Sequence, residues 1–126
     1  MKKSSLKSKK HFLIIGGGLI GINLGILLNE RGESVTIVEK RTKEELLGAE
    51  SQRTINLTLS LRGLNSLTES GVMDVLNKKV LPVKGRKIHT NKKINTYFYD
   101  ASNSKYVYAV KRSDLHAGLI KKAEER

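Results

Sequence analysis

His11-Phe12-Leu13-Ile14-Ile15-Gly16-Gly17-Gly18-Leu19-Ile20-Gly21 decides the fold of this chain. An apolar run of strand length meets a glycine turn, and the turn opens onto a helical apolar pattern. Working outward, Gly25 falls one helical turn after Gly21, where a small residue lets a helix lie close to a sheet. Leu28 continues the apolar face, and Gly32 stands where a helix C-terminal glycine belongs. Val35 and Ile37 then alternate in a second apolar run, which Glu39 closes. Strand, glycine turn, helix, strand and acid together form a unit that holds the pyrophosphate and ribose of a dinucleotide.

The predicted fold class is therefore α/β, built on a Rossmann-like βαβ unit with the GxGxxG turn. The first strand is predicted over His11–Ile15, the helix from about Leu19 to Arg31, and the second strand over Ser34–Glu39. Gly16 permits the tight bend out of the strand. Gly18, without a side chain, lets the backbone approach the pyrophosphate, and Gly21 lets helix and strand pack. The free N–H groups of the first helical turn face the phosphates, and the helix dipole favours their charge. Glu39 accepts hydrogen bonds from ribose hydroxyls and repels a 2′-phosphate, so the site suits FAD or NAD better than NADP. The same glycines also fit a tight turn in an unrelated α/β protein.

A chain of 126 residues suffices for one domain with a core and is too short for two. It has no cysteine, which excludes disulfides, thiolate catalysis and cysteine–zinc sites. His11, His89 and His116 lack metal-ligand spacing and read as ordinary surface or strand-end residues. No apolar run reaches the ~18 residues that span a bilayer. A cytoplasmic location with no membrane segment is expected. The net charge of +12 invites a nucleic-acid reading. Its distribution argues otherwise. Five lysines sit in residues 1–10, a basic stretch that reads as a solvated, disordered tail, and the rest are scattered. Base-stacking aromatics are nearly absent, and strand packing explains Tyr97-Phe98-Tyr99 as well. No nucleic-acid partner is expected.

Lys40–Gln52 reads as a polar loop with a helical turn near Glu44–Leu47. Thr54–Leu59 alternates as a short strand, and Ser60 is placed to cap a helix that stops at Gly71. A short helix over Val72–Asn77 follows, and Pro82, the only proline, opens a new region. That region is β-rich. It contains a strand at Lys87–Thr90, a turn at Asn91–Asn95, a second hairpin arm at Thr96–Tyr99, a polar loop at Asp100–Ser104 and a third strand at Tyr106–Val110. Ser113 is predicted to cap a last helix, with Asp114 in its first turn and Lys121-Lys122 near its end.

The segment Gln52-Arg53-Thr54-Ile55-Asn56-Leu57-Thr58-Leu59-Ser60-Leu61-Arg62-Gly63 resembles one in the N-terminal part of the kynurenine 3-monooxygenase family of FAD-dependent aromatic hydroxylases. The family carries Arg-Ser-Ile-Asn-Leu-Ala-Leu-Ser-x-Arg-Gly there, and this chain departs from it conservatively at Thr54 and Thr58. The resemblance continues through Gly71-Val72, Leu81–His89 and Val110–Leu115, and covers the chain from about His11 onward. It implies a reaction in which FAD, with NADPH as electron donor and O2 as oxidant, hydroxylates L-kynurenine ortho to its amine to give 3-hydroxy-L-kynurenine. In such enzymes the cofactor carries the hard chemistry, and the protein binds, orients and excludes water.

The resemblance also implies roles for particular residues. Gly16, Gly18 and Gly21 form the cofactor turn, and the Ile20 backbone approaches the pyrophosphate. Glu39 holds the adenosine ribose, flanked by Val38 and Lys40, with Arg41 beside the adenosine. Thr58 takes a flavin-contacting position, and Arg112 opens the helix after the hairpin region and contacts FAD. Arg86 matches an arginine that pairs with the amino-acid carboxylate of kynurenine, a task that suits its forked guanidinium. Tyr99 best matches a substrate-contacting tyrosine, with Tyr97 as the alternative. On spacing alone Arg86 reads as a solvated edge-strand charge, Tyr99 as hairpin packing, Arg41 as a loop charge and Arg112 as a partner for Asp114. No catalytic residue is singled out.

The expectation is an N-terminal piece of such an enzyme, with residues 11–126 forming an incomplete FAD/NAD(P)-binding domain. Alone it is expected to bind FAD poorly and not to hydroxylate. A different FAD-dependent oxidoreductase and an inactive nucleotide-binding remnant remain open alternatives.

Overall fold

The structure, a computed structural model, describes residues 9–52, 55–99 and 107–126. The expected basic tail up to residue 8, Arg53 and Thr54 of the family segment, the Asp100–Ser104 loop and Tyr106 lie outside the described residues.

Strand β1 (His11–Ile15) enters the glycine turn, helix α1 (Leu19–Glu30) leaves it, and β2 (Ser34–Val38) returns parallel to β1. The register pairs Phe12 with Val35 and Ile14 with Ile37, so these four side chains share one face of the sheet. Helix α1 lies on that face. A Cβ on Gly25 would stand 2.8 Å from Ile37 Cδ1, so a larger residue would have to displace the end of that side chain. Gly16 has φ +114°, a conformation that a side chain would strain. The helix ends in a Schellman motif, in which Glu33 N–H donates to Leu28 O and Gly32 N–H to Asn29 O. Lys10, the last residue of the expected tail, is tied to the unit. Its amide donates to Glu33 Oε2, and its carbonyl accepts from Ser34 N–H.

The helical turn expected near Glu44–Leu47 extends into a full helix, α2 (Lys43–Gln52), in place of the surrounding loop. Its cause is local. Thr42 Oγ1 accepts from Glu45 N–H while Glu45 Oε2 accepts from Thr42 N–H, a reciprocal capping box. Leu46 is buried and anchors the helix.

Strand β3 (Asn56–Leu59) follows, then α3 (Leu61–Glu69), α4 (Val72–Leu76) and β4 (Val80–Val83). Ser60 caps α3 as predicted by accepting from Gly63 N–H, and Gly71 turns the chain into α4 with φ +69°. Pro82 lies inside β4 and does not open a separate region. It is tolerated because, among the described residues, β4 is an edge strand that pairs with β7 (Val107–Lys111) alone, in the antiparallel order β3-β7-β4.

Between these strands β5 (Gly85–His89) and β6 (Ile94–Phe98) form a separate two-stranded hairpin. The turn spans Thr90–Lys93, where Thr90 Oγ1 donates to Lys93 O and accepts from Lys93 N–H. Helix α5 (Arg112–Glu124) completes the described chain. Ser113 is not its cap. The backbone is extended at Lys111, Arg112 N–H donates to Ile55 O, and the chain turns helical before Ser113 is reached.

The core lies among α1, α3, α4, α5 and the antiparallel sheet. Ile22 and Ile26 of α1 meet Leu59, Leu67, Val72, Leu76, Val110, Leu115 and Leu119. Gly118 lets α5 settle on Leu76, whose Cδ2 is 3.2 Å from where a Cβ would stand.

Candidate dinucleotide site and hairpin

The C-terminal ends of β1 and β2 lie side by side, with Gly16 N–H donating to Val38 O at 2.7 Å. This pairing brings Glu39 up to the turn. Glu39 Oε2 accepts from Gly17 N–H at 2.8 Å. Its Oε1 accepts from Arg41 Nε at 2.9 Å and from Arg41 N–H at 3.2 Å. The Arg41 side-chain bond, followed by the Gly17 amide, holds the Glu39 carboxyl at a pKa of about 2, so the acid is ionised throughout the neutral range. Arg41 is thus a partner of the acid rather than a stray loop charge. Lys40 and Val38 flank Glu39 as exposed residues.

Several features of the turn suit a dinucleotide. Gly18 is the N-cap of α1 and offers no side-chain cap, so the first-turn amides are left for an external acceptor. A Cβ at Gly18 would meet nothing within 4 Å, so the backbone is open to close approach there. A Cβ at Gly21 would overlap the Gly16 carbonyl oxygen, which explains the third glycine. A carboxylate offers about four acceptor sites. Oε1 takes two bonds from Arg41, which leaves Oε2 as the oxygen with capacity for a ribose hydroxyl. These residues fit the adenosine and pyrophosphate of FAD: Glu39 Oε2 has room for a further hydrogen bond, and the backbone at Gly18 is open to close approach.

His116 is the residue that sequence reasoning misplaced. It is not a surface or strand-end residue but sits within α5 at 1% exposure, with Nε2 2.9 Å from Gly17 O. Burial follows from its position on the helix face that also carries Leu115 and Leu119, and this apolar spacing was the available signal. Arg112 opens α5 one helical turn before His116. Thr58 is exposed on β3, opposite Ala109 of β7. Asn23 Nδ2 donates to Ser66 Oγ at 2.7 Å and joins α1 to α3.

The two substrate candidates sit elsewhere, on the β5–β6 hairpin. Arg86 pairs directly with Tyr97, and its guanidinium lies 5.8 Å from the centre of that ring, in cation–π range. Tyr99 follows β6, and its amide donates to Lys84 O. Period-2 alternation puts Tyr97 and Tyr99 on the face that carries Arg86. Tyr97, Phe98 and Tyr99 are all about half exposed or more, so the aromatic cluster is not packed into a core. His11 is exposed on β1, with Nε2 3.1 Å from Thr36 Oγ1, and His89 is exposed at the end of β5.

A parallel βαβ unit whose glycine turn is tied to an acid at the end of its second strand defines a dinucleotide-binding protein. The chain belongs to the FAD binding domain family, whose model matches residues 9–126, and its cofactor is FAD. It is 38% identical over 118 residues to a kynurenine 3-monooxygenase of Dictyostelium discoideum, covering 92% of this chain and 25% of that protein. It is 36% identical to a kynurenine 3-monooxygenase of Legionella pneumophila (strain Corby), covering 91% of this chain and 26% of that one. The chain therefore spans about a quarter of the length of these relatives. Among solved structures it resembles the tetrameric form of 2-methyl-3-hydroxypyridine-5-carboxylic acid oxygenase, with a TM-score of 0.73 at 21% identity, over 94% of this chain and 30% of that one. Among the described residues no helix is long and apolar enough to cross a membrane.

Proposed function

We propose that this chain is the FAD-binding N-terminal part of a monooxygenase that converts L-kynurenine to 3-hydroxy-L-kynurenine with NADPH and O2, in the cytoplasm. The observation that carries the reading is the Gly17–Glu39–Arg41 constellation at the end of a parallel βαβ unit, in a chain whose relatives include kynurenine 3-monooxygenases. Bound FAD supplies the redox chemistry with NADPH and O2. The chain's own part is binding and orientation. Glu39 holds the ribose as an anion, the amides that follow Gly18 meet the pyrophosphate, and Arg112 approaches the cofactor from α5. Arg86 receives the amino-acid carboxylate of kynurenine, with Tyr97 or Tyr99 on the same hairpin face against the ring. Arg86 is exposed, and a guanidinium beside an aromatic ring still offers its N–H fork to a carboxylate.

The test is NADPH oxidation by a complete protein that carries this chain. L-kynurenine is expected to stimulate it and to yield the 3-hydroxy product. A flavin-loaded protein whose NADPH oxidation ignores L-kynurenine would assign the chain to another aromatic hydroxylase.

A further inference from the structure

We propose that His116 is a positioning residue for the phosphate-facing peptide of the glycine turn, fixing the direction of the Gly18 amide from beneath. This inference rests on reading the turn as the FAD phosphate site, and it adds a residue outside the βαβ unit to that site.

The argument starts from one hydrogen bond. His116 Nε2 lies 2.9 Å from the Gly17 carbonyl oxygen. A carbonyl oxygen only accepts, so Nε2 carries the proton and donates. The other ring nitrogen, Nδ1, is buried and has no hydrogen-bond partner. The bond to Gly17 is therefore the polar contact by which this histidine acts, and it comes from a residue 99 positions away in the chain.

The peptide joining Gly17 to Gly18 is trans, as no cis bond occurs in the described chain. In a planar trans peptide the C=O and the N–H point to opposite sides. Drawing Gly17 O down onto buried His116 thus turns Gly18 N–H away from the core. A Cβ at Gly18 would meet nothing within 4 Å, so the backbone there is open to approach. The preceding peptide is held separately, because Gly17 N–H donates to Glu39 Oε2. Acid and histidine pin the two sides of one glycine, which has no side chain to limit its own rotation. Gly17 and His116 are both buried, so the bond between them is shielded from competing water. A preorganised amide binds phosphate more tightly because less freedom is lost on binding.

The experiment uses the 126-residue chain, labelled with 15N, as wild type, His116→Leu and His116→Gln. Leucine fills the site without a donor. Glutamine places an amide N–H the same number of bonds from the backbone as Nε2. Without ligand, the Gly18 amide order parameter is expected near 0.85 in the wild type and the glutamine variant, and below about 0.6 in the leucine variant. The Kd for ADP, the diphosphate probe, is expected to rise about tenfold in the leucine variant and to recover in the glutamine variant. Equal melting temperatures for the two variants separate this effect from general destabilisation. Should the leucine variant not fold, His116→Asn replaces it, since asparagine reaches only the Nδ1 position. A Gly18 amide as rigid without the donor as with it, or a glutamine variant as impaired as the leucine one, would overturn the proposal. An ordered Gly18 that depends on the donor, in a chain that ignores ADP, upholds the positioning role and counts against the phosphate-site reading alone.

Discussion

Glu39 Oε2 accepts the Gly17 amide at 2.8 Å, so the acid that closes the second strand is bolted to the turn that opens the first helix. Arg41 holds the other carboxylate oxygen. Together these bonds lower the Glu39 pKa from 4.5 to about 2. A depressed carboxylate pKa contributes stability that is fully present above the unfolded value and is lost as pH falls through the folded one. The urea midpoint of the wild type should therefore exceed that of Glu39→Gln by a constant amount above about pH 5, with the difference shrinking between about pH 4.5 and pH 2. An undiminished difference at pH 2 would mean that the carboxylate charge is not its source.

Gly21→Ala should damage both fold and site. The added Cβ would overlap the Gly16 carbonyl oxygen, and backbone cannot yield as a flexible side chain does. Overpacking of this kind costs about 1–3 kcal/mol. A lowered melting temperature together with weakened FAD binding is expected; a variant that matches the wild type in both would contradict the close approach of helix and turn.

Thr42→Ala should melt the start of α2. The substitution removes the acceptor for Glu45 N–H and one half of the capping box. Losing such a cap costs about 1 kcal/mol. Amide hydrogen exchange near residues 43–46 is expected to accelerate while β1 and β2 stay protected.

Leu119→Ala should destabilise the chain by about 2–5 kcal/mol, because the side chain is fully buried where α5 meets the core. Chemical denaturation measures this directly. A loss well under 1 kcal/mol would show that α5 does not pack as described.

Arg86→Ala, in a complete protein carrying this chain, should weaken L-kynurenine binding by about tenfold to a hundredfold, in line with about 1.5–3 kcal/mol for a charged hydrogen bond. Flavin content is expected to be unchanged, because the hairpin is separate from the glycine turn. Loss of flavin with intact kynurenine binding would reverse the assignment of Arg86.

Elements whose cause is local were legible in the sequence. The first strand, turn, helix and second strand fall where the glycines and the apolar alternation put them. Ser60 caps α3 as its position suggests. Helix α2 runs beyond the helical turn that the sequence suggests at Glu44–Leu47; the capping box at Thr42 and Glu45 is legible, but the apolar pattern behind it is weak. Ser113 has the chemistry of a cap, but the end of β7 and the bond from Arg112 N–H to Ile55 O decide where α5 begins. Pro82 stands inside β4 rather than at a boundary because an edge position tolerates a residue without an N–H.

The sequence by itself determined the βαβ unit, its glycine turn, the acid at the end of β2 and so the class of ligand. Each depends on backbone conformation and side-chain period over a few neighbouring residues, and those are local properties. Packing and strand register settled that Arg86 lies against Tyr97 and that His116 reaches Gly17 from the far end of the chain. The first depends on how β5 and β6 align, and the second on how α5 packs across α1. These are non-local outcomes of packing and burial, and no short stretch of sequence encodes them.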